Sequence, residues 1–149
     1  MGHGDEDTGC GGGWAPQPTL SQRLFAVAEL ARADFAVTVA RHGLTPVQAR
    51  AVLMLDEPVP MSSVASHLAC DASNVTGLAD RLEALGVAER VPSSDRRVKL
   101  LRLTDRGSAL RGELGRELAQ GSAVTDRLTA AERTQLAALL DTMLATPDA

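Results

Sequence analysis

The sequence predicts a mainly α-helical chain with one small β-hairpin, and three observations lead to that prediction. Helix-start patterns, in which Thr, Ser or Asp precedes apolar residues at helical spacing, recur along the chain. Two short apolar segments, 87–91 and 98–103, flank the turn sequence Pro-Ser-Ser-Asp. The 149 residues are 44% hydrophobic, which suits one domain with a buried core.

The composition excludes several classes of protein. Residues 1–18, MGHGDEDTGCGGGWAPQP, have almost nothing to bury, so we expect a disordered tail. No apolar run approaches the roughly 20 residues of a membrane span, so we expect a cytoplasmic protein with no membrane partner. Cys10 and Cys70 do not make a disulfide framework. The aromatic residues are Trp14, Phe25 and Phe35. So few aromatic side chains argue against folds that bind single-stranded nucleic acid by base stacking.

Two capping boxes predict the first two helices. Thr19 pairs with Gln22, and the helix that follows ends at Gly43. Its apolar residues recur at helical spacing: Leu20, Leu24, Val27, Ala31, Phe35 and Val39. Thr45 with Gln48 begins the second helix, whose predicted inner stripe is Val47, Ala51, Val52 and Leu55.

The next two helices are predicted after a turn at Pro58-Val59-Pro60. Ser62 is expected to cap a short helix, and Asp71 a stronger one that ends before Gly86. The stronger helix has an apolar face formed by Val75, Leu78, Ala79, Leu82 and Leu85. Its opposite face holds Ser73, Thr76, Gly77, Asp80 and Ala84, with Asn74 and Arg81 on the flank.

The hairpin follows, and two amphipathic helices complete the chain. Thr104 is expected to cap a helix with Leu110, Leu114 and Leu118. Thr129 and Glu132 form a capping box that begins the last helix, which carries Leu136, Leu139, Leu140, Met143 and Leu144. This order predicts a winged helix-turn-helix with a helical dimerisation region, because the outer helices have more apolar surface than one small DNA-binding unit buries. We assign 44–104 to the winged unit, and 19–43 with 105–149 to dimerisation.

The charge distribution favours a nucleic-acid partner. The net charge is −4, yet residues 90–106 carry six basic residues against two acidic ones, a local charge of +4. The basic residues are Arg90, Arg96, Arg97, Lys99, Arg102 and Arg106. Such a patch is the electrostatic footprint expected on a protein that binds a polyanion. A solvated face with scattered arginines is the alternative.

Two motifs carry a family resemblance. Asp95-x-Arg97 followed by Leu103-Thr104-x-x-Gly107 resembles the wing signature of the multiple antibiotic resistance regulator (MarR) family. HLACDASNVTGLADRLEALGVAER is similar to the helix-turn-helix of that family, and the likeness covers about residues 19–146. The resemblance implies a homodimeric transcriptional regulator, usually a repressor, that binds a pseudo-palindromic double-stranded DNA operator. It also implies, as in many members, release by a small anionic aromatic effector or by cysteine oxidation.

The resemblance also implies a DNA-binding site. Arg97 matches the wing arginine that enters the minor groove, and Asp95 matches the acid that orients it. Positions facing base edges and phosphates are matched by Ser73, Asn74, Thr76 and Gly77. Arg96 and Arg81 complete the expected set.

Some alternatives remain open at this stage. Arg81 can contact phosphate or pair with Asp80 or Glu83. Ala69 and Gly77 depart from the family, whose members often have glycine at the first position and a bulkier residue at the second. Cys70 precedes a helix cap, where it can be a redox switch or a small buried hydrophobe. The alternative functions are therefore a redox-responsive regulator acting through Cys70 and a dimeric scaffold that has lost DNA binding.

Metal and enzyme functions have little support in the sequence. His67-x-x-Cys70-Asp71 resembles half a zinc site, but a closed site needs about four ligands. His42 can meet an anionic effector or cap the end of its helix. The glycines at 11–13 follow no strand and open no phosphate-binding helix. We therefore expect no cofactor, no metal and no enzymatic activity.

Overall fold

The computed structural model describes residues 18–95 and 97–145 of the chain. The predicted tail up to residue 17, with Cys10, lies outside the described residues, and so does Arg96. The described part contains α1 (Leu20–Ala40), α2 (Pro46–Met54), β1 (Val59–Pro60), α3 (Met61–Leu68), α4 (Ala72–Ala84), β2 (Ala88–Pro92), β3 (Lys99–Leu103), α5 (Asp105–Ala119) and α6 (Ala130–Leu144). A short 3-10 helix, Thr125–Arg127, precedes α6.

Four threonines begin helices as the sequence predicts. Thr19, Thr45 and Thr129 each form a complete capping box with the residue three positions on. Thr104 accepts a hydrogen bond from the Gly107 amide at 3.1 Å and so caps α5. The predicted helix starts are confirmed at these four sites, because the side-chain acceptors satisfy amides that have no partner within the helix.

The sheet has one more strand than predicted. The segment expected to be a turn at 58–60 contains β1, in which Val59 pairs with Leu101 of β3. The strand order is β1-β3-β2, all antiparallel, and the two hairpin strands begin one residue later than predicted. Since Pro60 passes directly from this strand into α3, Ser62 lies inside the first turn and does not cap the helix. The predicted cap at Ser62 is wrong.

The core lies where α2, α3, α4 and α5 meet the sheet. Of the predicted inner face of α4, Val75, Leu78, Ala79 and Leu82 are buried and Leu85 is half-buried. Leu101 of β3 and Leu114 of α5 pack into the same cluster. In α2 the prediction is wrong at one position: Val47 is exposed, and its neighbour Gln48, for which no burial was predicted, is buried. The side-chain oxygen of Gln48 accepts from the Thr45 amide at 2.8 Å, so this acceptor has a partner although the residue is buried.

The apolar stripes of α1 and α6 are largely exposed within one chain. Of α1, Val39 is buried and Phe35 half-buried, whereas Leu20 is 72% exposed. No residue of α6 is buried, and its Met143 is 58% exposed. A lone helix of 15 residues has marginal stability in water, so most helices depend on the packing of an apolar face.

The motif after the wing has a direct physical basis. The Thr104 hydroxyl donates to the Gly86 carbonyl at 2.7 Å, and the Thr104 amide donates to the Val87 carbonyl at 3.1 Å. A Cβ atom at Gly107 would lie 1.8 Å from the Val87 carbonyl oxygen. Threonine and glycine at these positions therefore hold the start of α5 against the turn that joins α4 to β2.

Candidate nucleic-acid interface

Helix α4 presents a polar outer face, as expected of a recognition helix. Ser73, Asn74 and Thr76 are exposed, and Gly77 is half-buried. The opposite face is formed by Val75, Leu78, Ala79 and Leu82, and it is buried in the core. Burial of one face fixes the rotation of the helix about its axis, so the small hydrogen-bonding side chains face outward.

The entry into α4 differs from the prediction in one contact. Asp71 occupies the N-cap position, but its carboxylate accepts no hydrogen bond from the helix. The turn before it runs through Ala69, whose φ of 51° and ψ of 47° place it in the left-handed region. That geometry favours glycine, since a Cβ atom is strained in this conformation.

Two positions on the outer face have further detail. The Thr76 hydroxyl donates to the Ala72 carbonyl at 3.1 Å, which leaves its lone pairs able to accept from a base or a water. A Cβ atom at Gly77 would meet nothing within 4 Å, so packing within the chain does not require glycine there.

Arg81 does not pair with its acidic neighbours on α4. Both acids bind Arg90 of β2 instead: Asp80 at 2.6 Å from a guanidinium nitrogen, and Glu83 through a second ion pair. Arg81 is exposed and has no ion-pair partner among residues 18–95 and 97–145. The structure therefore removes one of the two expectations for Arg81. Arg90 was not predicted as a site residue. Two acidic residues three positions apart on a helix, next to a strand with basic residues, could have indicated this ion-pair network.

The turn of the wing is built around Asp95. Its carboxylate accepts from the backbone amide of Arg97 at 3.0 Å, and its own amide donates to the Ser93 hydroxyl at 3.3 Å. The carboxylate therefore holds the backbone of Arg97, and the expectation that it orients the Arg97 guanidinium on DNA stays a prediction. Such Asx turns are a common use of aspartate. Arg97 is exposed, and Arg96, the other predicted wing contact, lies outside the described residues.

Pairing within the hairpin reduces the charge available to a partner. Glu89 lies directly across from Arg102 in the register of β2 and β3, and the two form an ion pair at 2.8 Å. Arg90 is likewise engaged. The basic residues of this stretch without an ion pair in the described part of the chain are Arg97, Lys99 and Arg106.

Cys70 and His42 have ordinary structural partners. Cys70 is half-buried against the core and its thiol donates to the Leu68 carbonyl at 3.4 Å, which favours the structural interpretation. The His42 ring nitrogen lies 2.7 Å from Glu117, so His42 joins the end of α1 to α5. Within the described residues, no three His, Cys, Asp or Glu side chains are grouped to hold a metal. None of the helices described is long and apolar enough to cross a bilayer.

Solved structures of transcriptional regulators share this fold. The transcriptional repressor CouR, bound to a 23-mer DNA duplex, is 30% identical, covers 85% of this chain and 93% of its own, and has a TM-score of 0.73. Apo MarR from E. coli is 24% identical over 88% of this chain and 100% of its own, with a TM-score of 0.75. A mutant MarR from E. coli complexed with operator DNA is 25% identical over 85% and 94%, with a TM-score of 0.68.

No protein-family model matches the chain, and no curated protein matches it. The similarity to CouR extends over most of both chains, and the chain belongs to the MarR family of winged helix-turn-helix regulators. It is a DNA-binding transcriptional regulator. The family and the fold predicted from the sequence are thereby confirmed.

Proposed function

We propose that two copies of this chain form a homodimer that binds a pseudo-palindromic operator and represses transcription. The observation that carries this proposal concerns α6, a helix of 15 residues with an apolar stripe. None of these residues is buried within one chain. Two-fold dimers are the commonest closed oligomers, and they present two identical DNA-reading units.

Exposed apolar side chains that a second copy could cover recur along α1. Leu30 and Val37 of α1 border a groove with Val124 and Leu128, and its volume is about 510 Å³. Both α1 residues are more than half exposed. Leaving this surface in water is unfavourable by about 25 cal/mol per Å² of apolar area, so burial against a partner copy stabilises both chains. We place the dimerisation region at 19–43 with 105–149, and the DNA-binding unit at 44–104.

Analytical ultracentrifugation of α6 variants tests the dimer. Leu139 and Met143 are both more than half exposed, so Leu139→Glu with Met143→Glu leaves the fold of one chain intact and places charge in the interface. We expect a folded monomer from this double variant and a dimer from the wild type at micromolar concentration. Gln135→Glu, an exposed polar position on the same helix, is the matched control and should remain dimeric. A wild-type chain that sediments as a folded monomer contradicts the proposal.

The proposed DNA contacts divide between two elements. Ser73, Asn74, Thr76 and Gly77 on α4 lie over the major groove, and Arg81 contacts phosphate. Arg97 on the wing reaches the minor groove, with Asp95 holding the turn, and Arg96 is the other proposed DNA contact of the wing. The exposure of the α4 residues and of Arg97 supports this division.

Footprinting tests the symmetry of the site. On a duplex that the wild type selects from a randomised library, we expect two protected half-sites about 10 bp apart, centre to centre, because each copy places one helix in the major groove. A reporter gene placed behind that site should fall in expression when the protein is present. Protection of a single half-site by one chain contradicts the symmetry, and rising expression contradicts repression.

We also propose that a small anionic aromatic effector weakens DNA binding. A cavity of about 300 Å³ lies beside α5, and its apolar lining includes Leu44, Leu85 and Leu110. Arg106 lines this cavity together with His42 and Glu113, so a carboxylate on an aromatic ring has a cation and an apolar wall to contact, beside one acid. Because Leu85 ends α4, a ligand here touches the base of the recognition helix.

Calorimetric titration without DNA tests this site. Salicylate should bind the wild type, and Arg106→Ala should weaken that binding by about tenfold, the effect of roughly 1.4 kcal/mol. Salicylamide, which lacks the carboxylate, is the matched ligand and should bind weakly to both proteins. Equal affinity of the two proteins for salicylate contradicts the assignment of Arg106.

A further inference from the structure

Arg90 joins the wing to the recognition helix through three side-chain contacts. Its guanidinium donates to the Thr76 carbonyl at 3.1 Å and to the Asp80 carboxylate at 2.6 Å, and it also pairs with Glu83. These acceptors lie at positions 76, 80 and 83, which follow one face of α4 over two turns. One strand residue therefore holds most of the length of the helix.

The backbone of Arg90 adds a fourth contact. Its amide donates to the other oxygen of the Glu83 carboxylate at 2.8 Å, so Glu83 binds both the main chain and the side chain of Arg90. The Arg90 side chain is only 25% exposed, and the hydrogen bond that it donates to Asp80 is the largest cause that raises its pKa. A planar guanidinium is suited to such a site because its donors have a fixed geometry.

We propose that Arg90 is a positioning residue for DNA reading, which fixes the setting of α4 relative to the wing. The inference rests on the proposed contacts of α4 with the major groove and of the wing with the minor groove. If α4 enters the major groove and the wing enters the adjacent minor groove, a change in the angle between them prevents both from fitting the DNA at the same time. Such misalignment costs affinity on the operator, where both elements must be in register, more than on random DNA.

A direct phosphate contact is the competing role for Arg90. Both terminal nitrogens of its guanidinium already donate to protein acceptors, whereas Arg81 and Arg97 have no ion-pair partner in the described residues. Arg90 also neutralises Asp80, which is 63% exposed on the outer side of α4. Screening of that acid is a third role, and the test must separate it from positioning.

The salt dependence of binding separates positioning from contact. Full-length Arg90→Ala is titrated on the library-selected operator duplex and on a random duplex of the same length, at four salt concentrations. We expect the operator affinity to fall at least tenfold and the random-duplex affinity less than threefold. The slope of log K against log salt should stay at the wild-type value. A phosphate contact would instead lower the slope by about one and weaken both duplexes equally, and that result overturns the proposal.

Two further variants complete the experiment. Arg102→Ala is the matched control, since it removes an arginine ion pair from the same hairpin without touching α4, and its operator-to-random ratio should equal that of the wild type. Arg90→Ala with Asp80→Asn tests screening: under positioning the double variant stays weak, and recovery of operator affinity overturns the proposal. Arg90→Lys keeps the charge but cannot bridge three acceptors, so it should lose operator affinity as well.

The outcomes also distinguish this inference from the proposed function. If Asn74→Ala and Arg97→Ala weaken operator binding while Arg90→Ala does not, the DNA contacts stand and positioning by Arg90 is wrong. If none of the three variants changes binding, the proposed interface itself is wrong, and the positioning role is overturned with it.

Discussion

Gly107 packs against the backbone of Val87 so closely that a Cβ atom would lie 1.8 Å from the Val87 carbonyl oxygen. That oxygen also accepts from the Thr104 amide, so it is fixed by the hydrogen bond that joins β3 and α5 to the end of α4. Glycine is required at position 107 because a side chain there would collide with this backbone, and the backbone cannot move without moving the wing.

Gly107→Ala should therefore destabilise the fold. Because backbone must shift to admit the methyl group, we expect a loss of about 2–4 kcal/mol in the free energy of unfolding, measured by urea denaturation. Gly112→Ala on the same helix is the control: a Cβ there meets nothing within 4 Å, and a gain of about 0.5–1 kcal/mol is expected from helix propensity. Equal effects at the two glycines would show that contact with Val87 is unimportant.

Ala69→Gly should stabilise the helix-turn-helix. Ala69 has a φ of 51°, and glycine relieves the strain of that conformation at the cost of greater freedom in the unfolded chain. We expect a net gain of about 0.5–1 kcal/mol by thermal or urea unfolding. Ala109→Gly, at an exposed position inside α5, should instead lose about 1 kcal/mol. A loss at Ala69 as well would contradict the strain argument.

The wing turn distinguishes three accounts of Asp95. Because its carboxylate oxygen accepts from the Arg97 amide, Asp95→Asn keeps an acceptor and should bind operator within threefold of wild type. Asp95→Ala loses the acceptor and should bind about tenfold more weakly, a cost of roughly 1.4 kcal/mol. If the charge oriented the guanidinium, both variants would be weak. If the acid merely repelled DNA, both would bind more tightly than wild type.

Asn74→Ala and Arg81→Ala should change DNA binding in different ways, one mainly on the operator and the other on any duplex. Asn74 is exposed in the first turns of α4, so its loss should cost about 1–3 kcal/mol on operator and much less on random DNA. Arg81→Ala should weaken both duplexes alike and lower the salt slope by about one, as expected for a phosphate contact. Gel-shift titrations at two salt concentrations measure both, and an unchanged operator-to-random ratio for Asn74→Ala removes it from the reading face.

Acid should weaken the contact between α1 and α5. The pKa of Glu117 is lowered by the hydrogen bond with His42 and also by that with Arg41. A lowered pKa in the folded state stabilises the protein above the ordinary glutamate value of 4.5, and that contribution is lost as the pH falls through the lowered pKa. The urea midpoints of wild type and Glu117→Gln should therefore differ at pH 6 and converge towards pH 3.

Sequence reasoning succeeded where local chemistry decides the structure. Capping by Thr19, Thr45, Thr104 and Thr129 depends on residues three positions apart, and the buried face of α4 follows from its period. It failed where the outcome depends on distant partners. Pairing of Val59 with Leu101 links segments far apart in the chain, and nothing at 58–60 distinguishes a turn from a two-residue strand.

The same limit applies to the candidate site. The outer face of α4 was predictable residue by residue, but the partners of its acids were not. Asp80 and Glu83 have Arg81 as a near neighbour in sequence, yet both bind Arg90 because β2 returns beside α4. Asp95 was assigned to the right turn, but its contact with the Arg97 amide was not predicted, since that contact depends on the geometry of the loop.

The hydrogen bond between the Arg90 amide and Glu83 also protects the open side of the sheet. In the order β1-β3-β2, strand β2 is at an edge, where unpaired amides can recruit a strand from another molecule. The outward-facing amide of Arg90 is occupied by Glu83, and two residues further on Pro92 has no amide to offer. Strand β2 therefore resists the edge-to-edge pairing that leads to aggregation.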